Sequence, residues 1–120
     1  MNACQMICHL TDSFKTATGQ LVVGSRETLV SRTIVKWVAL KTPMKWPHGV
    51  RTLPELDQGN GRGTAPGEWS RDTEELRGWI ASFADRQSFG RHAMFGAMTR
   101  EDWMIWGYRH VDHHFRQFGV

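Results

Sequence analysis

Cysteine is scarce in this chain: Cys4 and Cys8 are the only two. They stand four apart on one expected helix, so no disulfide framework is available and a reducing, cytoplasmic setting is expected. Both read as small thiols buried in a core. Long apolar runs are missing as well. No segment reaches the ~18 consecutive apolar residues of a membrane span, so no membrane association is expected. The opening stretch MNACQMICHLTDSF lacks the basic start and apolar run of a secretory leader. Charge of one sign is weak, at a formal +3. No run of Lys and Arg interleaves with aromatics, so no specific nucleic-acid binding is expected. Strand-like alternation is too short anywhere to build a sheet. What remains is one all-α domain over residues 1–120, with six tryptophans for its core.

Four helical segments follow from period and punctuation. The first runs from about Asn2 to Thr18 and stops at Gly19. Its apolar stripe is Ala3, Met6, Ile7, Leu10, Phe14 and Ala17. The second runs from about Arg26 to Leu40, capped by Ser25, with Leu29, Val30, Thr33, Trp37 and Leu40 on its buried face. Pro43 ends it. All four prolines then fall within residues 42–69. This irregular stretch is long for a compact domain and reads either as a lid or wall, with Trp46 and Trp69 able to anchor it, or as a plain connector. Ser70 announces the third helix, whose Asp72, Glu74 and Glu75 suit the positive end of its dipole. Leu76, Trp79, Ile80 and Phe83 form its buried face. The fourth begins at Thr99, with Asp102 completing an approximate capping box, and ends near Phe118.

Histidine is where chemistry enters. Three of the six histidines lie within YRHVDHHFRQFG. On a wheel of 100° per residue, Trp103, Trp106, Gly107, His110, His114, Gln117 and Phe118 share one arc, while Arg109, Asp112, His113 and Arg116 turn to solvent. His110 and His114 therefore sit one turn apart inside an apolar stripe. Two readings stay open there: a pair of core histidines satisfied by hydrogen bonds, or two imidazole ligands of a metal. A third ligand must come from a facing helix. His9, at the edge of the first stripe beside Met6 and Ser13, is the candidate, with Asp12 one turn on to orient it or to act as an extra ligand. A zincin protease is excluded, because Val111 stands where its general base would follow the first histidine.

These segments resemble a family. HVDHHFRQFG is similar to the HxxxHxxQ pattern in the last helix of the DinB-like (YfiT-like) metal-binding four-helix bundles. QMICHLTDSF resembles the helix that carries their first histidine. LVSRTIVKWVALKTPMKWPHGVRTLPELDQ and RHAMFGAMTREDWMIWGYRHVDHHFRQFG resemble a DinB-like subfamily of unknown function, and the likeness spans nearly the whole chain. It departs at Ala93, where that subfamily usually has proline. It also departs at the start, where members carry about one further helix. The resemblance implies an up-down helical bundle short of its first helix, with an apolar face open to a partner and a homodimer as the expected assembly. It further implies a three-histidine site for zinc, nickel or iron, with ligands His9, His110 and His114.

Two classes of function follow. One is a metal-dependent enzyme, a transferase using a low-molecular-weight thiol or a hydrolase, acting on a small-molecule substrate. Gln117 would then hold ligand or substrate, Asp12 would serve as outer shell or base, and the loop with Trp46 and His48 would close over the site. His92, before the fourth helix, is a further substrate-contact candidate. The other class is a non-catalytic oligomerisation module with a structural or vestigial metal site.

Overall fold

The computed structural model describes residues 1–120. Four helices carry the fold: α1 (Ala3–Ala17), a short α2 (Lys36–Lys41) entered through a π-helical turn (Ser31–Val35), α3 (Trp69–Asp85) and α4 (Arg100–Gln117). There is no strand; the nearest thing is an isolated bridge between His92 and Gly96. No helix is long and apolar enough to cross a membrane.

Side-chain pairings give the directions. Cys8 meets Asp72 and Phe14 meets Phe83, so α1 and α3 run the same way. His9 meets His110 while Phe14 meets Trp106, so α4 runs against α1. Lys36 reaches Asp102 and Ala39 receives Arg109, so α2 runs with α4. The arrangement is up-down-up-down, as short antiparallel packing of amphipathic helices favours.

α1 is the axis of the molecule. Every residue from Met6 to Phe14 is buried, polar ones included. A helix buried on all sides must satisfy its polar side chains internally. Thr11 and Ser13 do so by donating to the carbonyls of Ile7 and His9 one turn back. Asn2 and Gln5 close a reciprocal capping box at its start. The core proper joins Leu10, Phe14, Leu40, Leu76, Phe83, Trp103 and Trp106. Gly107 lets α4 approach: a Cβ there would stand 3.1 Å from the Phe83 ring.

Several expectations are corrected. The outer face of the second helix carries Leu29, Val30, Ile34 and Trp37 in the open, with Trp37 60% exposed. Of the expected face only Leu40 is buried, and a π-helical turn adds a residue to one turn that shifts Leu29 and Val30 out of register with it. The helix also starts later than Arg26, and Ser25 bonds Glu27 instead of capping it. α3 is capped by Glu68, whose carboxylate accepts from the amides of Ser70 and Arg71, and Trp69 is too exposed to anchor the long loop. Of the two thiols, Cys8 is buried but Cys4 is exposed.

Candidate metal centre

α1 and α4 bring three imidazoles to one point. His9 Nε2 lies 3.3 Å from His110 Nε2, and His114 Nε2 lies 3.1 Å from the same atom. His9 and His114 are buried, and His110 is mostly so. No carboxylate or thiol joins the group, whose ligand atoms all lie within 4.8 Å of one another.

The outer nitrogens decide what the inner ones are. His9 Nδ1 sits 2.9 Å from the Leu56 carbonyl oxygen. A carbonyl only accepts, so Nδ1 carries the proton and Nε2 of the neutral ring is a bare lone pair. His114 Nδ1 donates to Gln117 Oε1 at 2.9 Å, with the same result. His110 Nε2 therefore stands between two lone pairs. It can donate one proton to one neighbour, and the lone pair of the other neighbour is left with no proton to accept. A second proton is opposed by burial, which lowers His9, pushes His114 down to about 4 and drives His110 well below its usual range. A cation resolves the conflict. A tetrahedral ion with nitrogen ligands at about 2.0–2.1 Å holds those atoms about 3.3–3.4 Å apart, close to the two spacings that His110 makes.

The remaining candidates fall into different places. Gln117 joins the site, by orienting His114. Its amide nitrogen in turn faces His113 Nε2 at 3.3 Å, so His113 braces Gln117. That corrects the wheel, which turns His113 to solvent; it is buried, because the loop after α2 covers that flank and lays Trp46 and His48 against its ring. Trp46 lies over the site, 6.0 Å ring to ring from His110, and its indole N–H donates to the Ala39 carbonyl. Asp12 does not touch His9. Its carboxylate accepts from Gln58 Nε2 at 2.7 Å and from the Thr64 amide and hydroxyl at 2.8 and 2.7 Å. Asp12 thus pins the stretch that delivers the Leu56 carbonyl to His9. Gly63, in left-handed backbone, lets the loop pass against the Gln58 amide.

Two groups at the site escape a sequence reading. The Leu56 carbonyl is backbone, and its only signal is the compact PELDQGNG turn that holds it. Arg109 sits on the polar arc of α4, yet its guanidinium donates to the carbonyls of Ala39, Thr42 and Met44 and fixes the segment that carries Trp46.

The imidazoles border a cavity of about 450 Å³. Its wall is mostly apolar, with Met44, Leu53, Phe95 and Trp106 among the lining residues, and His92 is part of it. This is the size and character of a small-molecule site. No family model matches the chain, and no curated protein or solved structure is significantly similar to it.

Proposed function

We propose that this is a divalent-metal protein of the DinB-like type, holding zinc, nickel or iron on His9, His110 and His114. Its activity is that of a metal-dependent transferase using a low-molecular-weight thiol, or of a hydrolase. The observation that carries this reading is the convergence of Nε2 atoms whose outer nitrogens are committed to Leu56 and Gln117. A bound ion at three imidazoles supplies Lewis acidity with coordination positions to spare. The chain's own part is orientation and exclusion of water. Leu56 and Gln117 fix two tautomers, His113 braces Gln117, and Trp46 shields His110 on the cavity side. A small-molecule substrate fits the adjoining cavity. The donor set does not choose among the three metals, since affinity order does not set the physiological ion.

Metal content of the purified protein and of His110→Ala and His114→Ala tests the reading. Wild type should take up about one ion and each variant should lose it. A wild type that binds no ion under any loading condition overturns the proposal. Thiol conjugation and ester hydrolysis assays on loaded protein then separate the two reactions.

A second reading is favoured by the open apolar side chains of Leu29, Val30, Ile34 and Trp37. In it the chain is a non-catalytic module that pairs with another copy through this face, and the metal site is structural or vestigial. Sedimentation of a Trp37→Glu, Ile34→Glu variant beside wild type tests it. A wild type that remains monomeric at high concentration removes this reading.

A further inference from the structure

His92 is a polar group of the cavity wall outside the three-imidazole cluster, and its donor is set by the main chain. Its Nδ1 accepts from two backbone amides, Met94 N and Phe95 N, each at 3.1 Å. A nitrogen that accepts two N–H groups carries no proton, so the neutral ring has its hydrogen on Nε2. That hydrogen finds no acceptor within the protein.

The ring is also held still. It stacks on Phe95 with centroids 4.3 Å apart and planes at 12°. Its loop is fastened at several points. His92 and Gly96 exchange backbone hydrogen bonds, Ala93 O accepts from the Arg26 amide, and Met94 O accepts from the Ser31 hydroxyl at 2.6 Å. Gly90 is tied to the end of α1 through Ala17 O. Trp106 lies against both His92 and His110, which places this donor one indole away from the three-imidazole cluster. Lys45 and Arg51 are exposed at the rim, and no Asp or Glu lines the cavity.

A fixed, neutral N–H donor on a mainly apolar wall suits an acceptor oxygen on a mainly apolar molecule. With no carboxylate on the wall, a cationic ligand finds no partner. We infer that the cavity takes a small, mostly apolar, non-cationic carbonyl compound, and that His92 Nε2–H donates to its carbonyl oxygen. The inference rests on the reading of this cavity as a substrate site. It names the substrate class and gives His92 the task of orienting it.

The test uses the whole protein, metal-free and zinc-loaded, with acetophenone as the probe and ethylbenzene as its counterpart lacking the oxygen. Long-range proton–nitrogen correlation spectra of ¹⁵N-labelled protein at neutral pH should show His92 protonated at Nε2 and bare at Nδ1. Acetophenone should move the His92 Nε2 resonance, and ethylbenzene should not. In His92→Phe, acetophenone affinity should fall about five- to tenfold, the worth of one hydrogen bond, while ethylbenzene affinity stays within about twofold. The Phe variant leaves two amides without an acceptor. If it does not fold, the wild-type spectra decide alone. A His92 protonated at Nδ1, an Nε2 resonance indifferent to acetophenone, or an equal loss of both probes in the variant overturns the inference. Metal content of the same samples keeps the two readings apart. Carbonyl recognition without metal uptake removes only the metal, and metal uptake without carbonyl recognition removes only this assignment.

Discussion

An imidazole is a good ligand only when its second nitrogen has somewhere to put its proton. His114 depends on Gln117 for this, and Gln117 on His113. Gln117→Leu removes the acceptor while keeping the size. It should weaken metal binding about 10–100-fold, the usual cost of losing such a partner, read by competition with a chromophoric chelator. Protonation gives a second expectation at this scale. Burial holds His92 down to about 4, below the ~6.5 of an unfolded histidine. Between those values the unfolded chain binds more protons than the folded one. The stability His92 confers is therefore complete above about pH 6.5 and is lost as pH falls towards 4. Urea midpoints measured from pH 7 down to pH 4.5 should decline, and the decline should be shallower in His92→Gln.

At the scale of the element, α4 serves three neighbours at once. Its apolar arc holds His110 and His114 towards α1, Gly107 admits Phe83 from α3, and Arg109 fastens the chain after α2. Gly107→Leu forces α4 off Phe83 and should cost about 1–3 kcal/mol of unfolding free energy in urea titration. Arg109→Met keeps the aliphatic stem but strips a donor from the Ala39, Thr42 and Met44 carbonyls. Amide exchange over residues 42–50 should quicken, with exchange in α1 unaltered. Legibility divides along the same line. The pairing of His110 with His114 was readable because i,i+4 is a local relation, fixed by helix geometry alone. The burial of His113 was not, because a wheel counts neighbours on its own helix and the cover comes from Trp46 and His48. Likewise Trp37 and Leu29 fit a regular helical period, which a π-helical turn breaks without any residue that announces it. His9 had no local signal; its place depended on a facing helix far along the chain.

Across the whole molecule, a metal held by His9, His110 and His114 would join the axis to its antiparallel neighbour. A ligand that binds only the folded state adds stability by mass action, about 2.7 kcal/mol at a free concentration 100 times its Kd. Calorimetry should therefore show zinc raising the unfolding temperature of wild type by several degrees and a chelator reversing it. His110→Ala should be indifferent to both. The same wholeness governs order in time. His9 and His110 are 101 positions apart in the chain. Drawing such distant points together costs on the order of 4 kcal/mol in chain entropy before any contact repays it. An emerging chain displays His9 early, yet has nothing to pair it with until α4 has left the ribosome. The three imidazoles are thus a late conjunction: an ion bound by all three would require α4 to have been made and closed against α1.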